Sequence, residues 1–265
     1  YSPSSIVRDA QAHGVLVRDV CVMHSNWDSS LEWATAEEAS EVPPEQDAPG
    51  SSASAQRIPR QIPGYGAWLS PPNPDSDPLE AAARRRVLRL GLRLVKGMGE
   101  ETALRIVAAR QEKPFDSLHD LVLRASLKKD EVEALAEAGA LEALVGGRRQ
   151  ALWKARAPRS GELFESVELQ EAQVALPALR APEQLLLDYG RKGLSVTDHP
   201  MCHVRRALRA RGVLSSEQLQ DVAHGAKVKV AGVVLSRQQP GTASGVVFIT
   251  LEDETGIMNL VLYAK

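Results

Sequence analysis

The stretch that decides the fold is GLRLVKGMGEETALRIVAAR, residues 91–110, with the turn VKGMG at residues 95–99 at its centre. Two glycines one residue apart let the backbone turn tightly, and a helix that starts directly after them leaves its first N–H groups without partners. Such a turn offers a seat for an anion. We expect Val95 and Met98 to anchor the turn to the core while Lys96 stays at its edge.

The residues after the turn complete a known motif. Glu100 and Glu101 suit the positive end of a helix dipole, and the predicted apolar face of the helix consists of Ala103, Leu104, Val107 and Ala108. Together they form the pattern of a helix-hairpin-helix, which holds a nucleic-acid backbone phosphate without reading bases. A second hairpin is predicted at residues 126–129, SLKK, and two such units in tandem make a compact pseudo-symmetric module.

Later turns add positive charge to this module. Residues 146–149, GGRR, again place glycine before a basic helix, which is predicted over residues 148–156 with Leu152 and Trp153 facing inward. The first hairpin offers backbone N–H groups and one lysine, and the later turns offer side-chain charge. The candidate DNA contacts of the module are Lys96, Gly97, Met98, Gly99, Lys128, Lys129, Arg148 and Arg149.

Charge is unevenly distributed along the chain. Residues 28–80 hold ten acidic residues against two basic, a net charge of −8, whereas residues 84–159 hold 17 basic against ten acidic, a net charge of +7. A basic segment with a phosphate-binding turn favours a nucleic-acid partner, because neutralised phosphates release counterions. A solvated basic helical surface is the alternative explanation.

The composition limits the class of protein and the compartment. At 265 residues, the chain is long enough for two or three domains. Its two cysteines, Cys21 and Cys202, are too few for a disulfide scaffold and fit a reducing cytoplasm. No apolar run approaches the roughly 20 residues that span a bilayer, and we expect neither membrane association nor a signal peptide. Because the chain starts at Tyr1 and ends within a strand-like pattern, we expect a piece of a longer protein.

An acidic, proline-rich segment interrupts the chain at residues 34–83, which hold nine of its 16 prolines. Such a composition favours a linker or insert over a core. Asp75 and Asp77 have the alternate spacing with which polymerases hold paired metal ions, but that chemistry needs carboxylates on a rigid strand. Prolines flank both aspartates here, so we predict no metal site.

Residues 159–224 form a predicted connector with helices. One helix is predicted over residues 183–190, and a second starts near Val204 with an apolar stripe of Val204, Ala207 and Leu208. The second helix also carries a basic face, interpreted as solvated rather than DNA-binding: Arg205, Arg206, Arg209 and Arg211. The preceding HPMCH, residues 199–203, has one cysteine and lacks the ligands of a haem or zinc site.

The last segment, residues 225–265, predicts three strands. A long first strand with Gly232 in its middle, followed by two hairpin turns, is the way an OB-fold barrel begins. The two further strands of such a barrel are missing from the chain. OB-folds bind single strands through basic grooves and stacking aromatics, and the candidates here are Lys227, Lys229, Arg237, Phe248 and Tyr263.

Six separated motifs in a common order resemble one family. They are YSPSSIVRDAQAHGV (residues 1–15), WDSSLE (27–32), LRLGLRLVKGMGEE (88–101), AGALEALVGGRRQALW (138–153), LLLDYGRKGLSVTDHP (185–200) and VKVAGVVLSRQQPGTASGVVFITLEDETG (228–256). Together they resemble the C-terminal part of bacterial C-family DNA polymerases, above all the error-prone, alpha-subunit-like type of damage-induced mutagenesis. The acidic insert is longer than the family needs.

The resemblance implies a multidomain α+β fold with a mainly helical tandem helix-hairpin-helix module and an incomplete OB-type barrel. The implied domains are residues 1–33, the end of the fingers; 34–83, the linker or insert; 84–158, the DNA-binding module; 159–224, the connector; and 225–265, the truncated OB domain. The family extends DNA by two-metal nucleotidyl transfer with palm aspartates, which this chain lacks. No catalytic residue is therefore carried over, and Mg²⁺ is expected only for the parent polymerase.

The sequence thus predicts the DNA-binding part of an error-prone DNA polymerase of translesion synthesis, with DNA, mutagenesis accessory proteins and a sliding clamp as partners of the parent. One alternative is a non-enzymatic nucleic-acid-binding adaptor that joins helix-hairpin-helix and OB modules. Another is a protein–protein scaffold in which the hairpin glycines only permit tight helix packing.

Overall fold

The chain forms a helical module followed by a smaller β-rich part. The structure, a computed structural model, describes residues 2–35, 86–156, 176–241 and 245–263. The helices are α1 (Pro3–Ala12), α2 (Glu100–Glu112), α3 (Leu118–Arg124), α4 (Lys129–Ala138), α5 (Glu142–Val145), α6 (Arg148–Arg156), α7 (Ala181–Arg191), α8 (Pro200–Ala210) and α9 (Ser216–Leu219). The strands are β1 (Leu16–Arg18), β2 (Ser30–Trp33), β3 (Arg86–Arg89), β4 (Val213–Leu214), β5 (Lys229–Val230), β6 (Val233–Gln238), β7 (Val247–Asp253) and β8 (Gly256–Leu262).

The predicted α+β class is confirmed by this element order. Most of the acidic insert lies outside the described residues, and so do Asp75 and Asp77. Among the helices that the structure describes, none is long and apolar enough to cross a bilayer.

The first sheet joins the N-terminal residues to the segment before the first hairpin. Its order is β1–β3–β2, with β1 parallel and β2 antiparallel to β3. Glu32 on β2 pairs with Arg18 at 2.6 Å and with Arg89 at 3.1 Å, so one carboxylate connects all three strands. The predicted fingers segment and the predicted DNA-binding module therefore share a sheet.

The two hairpins differ in what precedes them. Hairpin 1, residues 95–99, follows a single 3₁₀ turn, Leu92–Leu94. Hairpin 2, residues 125–128, connects the regular helices α3 and α4. Ser126 has a φ of 49° there, in a region that costs a non-glycine residue about 1–2 kcal/mol. Val95 and Met98 of hairpin 1 are buried, as predicted.

The inward faces of α2 and α6 differ from the predicted ones. Buried positions on α2 are Thr102, Ala103, Ile106 and Ala109, whereas Leu104 is 53% exposed. The predicted face was wrong because it was centred on Leu104 instead of Ile106.

On α6, Ala151 and Ala155 face inward together with Arg148, and Trp153 is 57% exposed. A buried arginine thus takes an inward position on α6, and the tryptophan turns to solvent.

The C-terminal part packs α8 against an open sheet. Strands β6, β7 and β8 are antiparallel in that order, and β5 pairs instead with β4. The predicted long first strand is therefore split before Gly232, where a Cβ atom would lie 2.7 Å from the carbonyl oxygen of Glu252. The described strands form no closed barrel, and the OB assignment stays a prediction.

Helix α8 begins at Pro200, earlier than predicted, because His199 caps it. His199 Nδ1 accepts a hydrogen bond from the Met201 N–H at 3.1 Å. Met201 and Arg205 occupy the buried face of α8, whereas Val204 is 44% exposed. The predicted apolar stripe was wrong because a charged side chain is buried where the pattern required an apolar one.

Arg205 clamps α8 to the turn between β7 and β8. Its Nη2 donates to Asp253 Oδ2 at 2.8 Å and to Glu254 Oε2 at 2.9 Å. Burial alone would raise the pKa of Asp253, but hydrogen bonds from Thr255 and Ser216 and the charge of Arg205 hold it below its ordinary value. The hydrogen bond from Arg205 also lowers the pKa of Glu254.

A buried network of charges connects the helical module to α7 and to the N-terminal residues. Asp188 on α7 accepts from Arg148 Nη1 at 2.8 Å and from Ser195 Oγ at 2.8 Å. Lys192 Nζ lies 2.9 Å from Asp188 Oδ1 and also contacts the carboxylate of Asp19. Since Arg148, Asp188 and Lys192 are all buried, each charge depends on its partners.

Asp188→Ala is expected to reduce the free energy of unfolding by about 3–5 kcal/mol, because it leaves two buried cations without their shared carboxylate. Urea unfolding followed by circular dichroism measures the change. Asp28→Ala is the matched control, since it removes the exposed pair with Arg93, and it should cost less than about 1 kcal/mol. Equal losses in the two variants would contradict the role of the network.

Stability is also expected to fall with acid at the α8 clamp. Because the folded pKa values of Asp253 and Glu254 lie below their unfolded ones, the clamp stabilises the fold above about pH 4 and is lost as the pH falls through the folded pKa values. Glu254→Gln should therefore flatten the decline of the unfolding free energy below pH 4.5. Glu112→Gln, at an exposed carboxylate outside the clamp, should leave that decline unchanged.

Candidate nucleic-acid interface

Hairpin 1 presents a row of unpaired backbone N–H groups to solvent. Gly97 has a φ of 92°, in the left-handed region, and Gly99 caps α2 in extended conformation. The N–H groups of Gly97, Gly99 and Glu100 have no hydrogen-bond acceptor in the described part of the chain, and all three residues are exposed. These free donors lie at the N-terminus of a helix of 13 residues, which is the arrangement that the predicted anion seat requires.

Two cationic side chains border this seat. Lys96 is exposed, and its Nζ donates to the carbonyl oxygen of Gly190 at 3.1 Å. Arg191 Nη1 donates to the Lys96 carbonyl oxygen at 3.4 Å and would lie 3.8 Å from a Cβ atom on Gly97. Sequence reasoning missed Arg191, because it lies 95 residues from Lys96 and only the packing of α7 brings it to hairpin 1.

Met98 is buried, unlike the other candidate residues of hairpin 1, which are exposed. It is 8% exposed and belongs to the hydrophobic core. Its N–H donates to the Val95 carbonyl oxygen at 3.0 Å, which closes the turn. Met98 therefore anchors the hairpin, and the exposed N–H groups are those of its neighbours.

Two carboxylates lie at the start of α2. Glu101 pairs with Arg105 at 3.3 Å, one turn further along the helix, and Glu100 is exposed. Both suit the helix dipole when no ligand is bound. A bound phosphate would meet their repulsion, which Lys96 beside the hairpin opposes, whereas Arg191 is already paired with Glu137 at 2.5 Å.

Hairpin 2 places two further candidate lysines at the start of α4. Lys128 is the N-cap residue, and its N–H donates to Glu131 Oε2 at 2.8 Å. Lys129 begins the helix and its Nζ lies 4.0 Å from Glu133 Oε1. Both lysines are exposed, so their charges are available at the surface.

The candidate arginines of α6 have unequal positions. Arg148 is 6% exposed and belongs to the buried network with Asp188. A surface contact of its guanidinium with DNA would break that network, and we therefore remove Arg148 from the candidate interface. Arg149 is partly exposed and pairs with Glu183 at 3.1 Å, so it contributes charge only in part.

The candidates of the C-terminal part lie at the surface but on different elements. Lys229 is on β5, and its Nζ donates to the Arg211 carbonyl oxygen at 3.4 Å. Lys227 is exposed shortly before β5, and Arg237 is exposed on β6. The candidate aromatic side chains are also accessible, with Phe248 at 41% and Tyr263 at 79% exposure.

The segment HPMCH, residues 199–203, forms the N-terminus of helix α8. His199 caps α8, and His203 Nε2 lies 2.5 Å from Asp198 Oδ2. The described residues contain no group of three or more side chains that could hold a metal ion.

A family model described as a helix-hairpin-helix motif matches residues 14–151, more than half of the chain. The match includes β1, both hairpins and most of the residues that form the core.

Error-prone DNA polymerases are similar to the chain along its whole length. That of Azoarcus sp. (strain BH72) is 39% identical over 265 residues, which is 100% of this chain and 21% of that protein. Those of Alkalilimnicola ehrlichii and Pseudomonas syringae pv. tomato are each 37% identical over 264 residues, 99% of this chain and 21% of each protein. The chain spans about a fifth of the length of these curated relatives.

Proposed function

We propose a function from one premise: the chain belongs to the helix-hairpin-helix family. It binds DNA through hairpin 1, and it forms the C-terminal DNA-gripping part of an error-prone DNA polymerase of damage-induced translesion synthesis. The named relatives support the polymerase assignment, because they are error-prone DNA polymerases similar along the whole chain.

The observation that carries the proposal is the free N–H row of hairpin 1. The N–H groups of Gly97, Gly99 and Glu100 are unpaired among the described residues, and all three residues are exposed, so hairpin 1 offers free donors to the oxygen atoms of a phosphate. Lys96 and Arg191 border the site. Because Arg191 pairs with Glu137 at 2.5 Å, Lys96 is the main cation that neutralises phosphate charge. Since backbone N–H groups contact phosphate and not bases, this grip is independent of DNA sequence.

Hairpin 2 and α6 extend the proposed contact. Lys128 and Lys129 at the start of α4 add exposed charge, and Arg149 adds charge in part. Ser126 lacks the flexibility of glycine, and we propose that hairpin 2 contributes electrostatic attraction rather than a close backbone contact. Neutralised phosphates make the affinity strongly dependent on salt.

We place the chain in its parent polymerase by the predicted domains. Residues 1–33 end the fingers, 34–83 are an acidic insert, 84–158 grip duplex DNA, 159–224 connect, and 225–265 begin an OB domain. In that domain Lys227, Lys229 and Arg237 guide the template strand. Catalysis by palm aspartates with Mg²⁺, and contacts to mutagenesis accessory proteins and a sliding clamp in the cytoplasm, belong to the parent.

The combined variant Lys96→Ala/Gly97→Ala is expected to weaken duplex binding by about 1–3 kcal/mol, because it removes a cation and hinders the approach of phosphate to the N–H groups. Fluorescence anisotropy of a labelled 30-bp duplex at several salt concentrations, about 50 to 300 mM, measures the loss.

The control is Lys113→Ala/Gly146→Ala, which also removes an exposed lysine and a left-handed glycine (φ 81°) but leaves hairpin 1 intact. It should bind as the wild type does. If hairpin and control variants bind equally well with the fold intact, hairpin 1 does not carry DNA binding.

A further inference from the structure

We infer that α8 and the segment before β5 form a second contact with the DNA phosphate backbone. The contact surface, here the basic ridge, consists of Arg206, Arg209, Arg211 and Lys227. The inference rests on the proposed function, because it adds a second grip to a DNA-binding chain. It differs from the predicted OB contact, since α8 and not the sheet supplies most of its charge.

The first observation is that the ridge cations are unpaired, whereas most arginines elsewhere in the described residues are engaged; Arg237 on β6 is an exception. The side chains of Arg206, Arg209 and Arg211 form no hydrogen bond or ion pair with described residues, and all three are exposed. Arginines bonded to a carboxylate or backbone carbonyl elsewhere include Arg8, Arg18, Arg89, Arg93, Arg105, Arg110, Arg124, Arg148, Arg149, Arg156, Arg180, Arg191 and Arg205.

The second observation is that the clamp of α8 fixes the direction of the ridge. Met201 and Arg205 face the sheet, and Arg205 is held by Asp253 and Glu254. At 100° per residue, Arg206 and Arg209 lie about 60° apart on the helix surface. Arg209 lies about 40° and Arg206 about 100° from the buried Arg205. Both are exposed, so the two arginines occupy adjacent exposed positions along one side of the face that packs on the sheet.

The third observation is that the segment near β5 adds charge at the C-terminal end of α8. Lys229 Nζ donates to the Arg211 carbonyl oxygen at 3.4 Å, so the two residues are neighbours. Lys227 lies two residues before Lys229 and is exposed without an ion-pair partner among described residues. Over residues 200–241, seven basic side chains face two acidic ones.

Cations near a helix C-terminus also stabilise the helix dipole, but that explains only part of the ridge. The dipole effect is confined to the last turn, which accounts for Arg209, Arg211 and the capping lysine, Lys229. Arg206 lies further from the end, and Lys227 lies outside the helix. Free arginines side by side match phosphate oxygens, which they bind in bidentate fashion, and we therefore commit to the DNA backbone as the partner.

The experiment compares Arg206→Gln/Arg209→Gln with wild-type chain on a labelled 30-bp duplex that carries a single-stranded overhang. Loss of two phosphate contacts should make the negative slope of log K against log salt shallower by about 1.8. It should also weaken binding about tenfold at low salt. The matched control, Lys113→Gln/Arg180→Gln, removes two exposed cations that pair with Asp116 and Glu183, and it should keep the wild-type slope.

Two further variants separate charge from folding. Arg206→Lys/Arg209→Lys keeps both charges and should restore the steepness of the slope. Arg211→Gln lies beyond the end of α8, outside the proposed OB contact, and should make the slope shallower by about 0.9. An unchanged slope in the glutamine variant, or an equal loss in the control, overturns the ridge while hairpin 1 keeps its function. A wild-type chain that does not bind DNA overturns the proposed function itself.

Discussion

The buried pairing of Asp188 with Arg148 and Lys192 is the constraint on which the arrangement of the molecule depends. Asp188 lies on α7, Arg148 begins α6 and Lys192 follows α7, while Asp19 brings in the segment after β1. Charges buried in this way are tolerable only when all of them are paired. The network therefore permits one relative position of these elements. The reason is that any other position would leave a buried charge unpaired, more than that the paired charges attract each other strongly.

That position determines the composition of the proposed phosphate seat. With α7 fixed by Asp188, its last residues, Gly190 and Arg191, lie against hairpin 1. The Gly190 carbonyl oxygen accepts a hydrogen bond from the Lys96 side chain, and the Arg191 side chain lies beside Gly97. A structural network thus supplies a cation to the seat that hairpin 1 does not contain itself, and it removes Arg148 from the surface.

Pairing also changes the meaning of the charge pattern. Residues 84–159 carry the higher net charge in the sequence, but many of their arginines are bonded within the fold, as Arg124 and Arg156 are. Among the residues that the structure describes, the arginines without a hydrogen bond or ion pair lie later, on and beyond α8. The net charge of each segment predicted that the protein binds nucleic acid. The positions of the unpaired cations indicate which surfaces a phosphate backbone would contact.

Sequence by itself determined the α+β class, the turn at Val95 to Gly99 with its buried anchors, and the helix that starts after Gly99. These features depend on local backbone geometry and on the positions of glycines. Residues that are close in the sequence are enough to specify them. Tertiary structure alone decided the inward faces of α2, α6 and α8, the role of Arg191 and the split of the first C-terminal strand. Leu104, Trp153 and Val204 are exposed because other residues fill the inward positions, and on α6 and α8 these include arginines held by carboxylates distant in the chain. Such pairs leave no periodic signal, since a pattern counts a charged residue as outward until its partner is known.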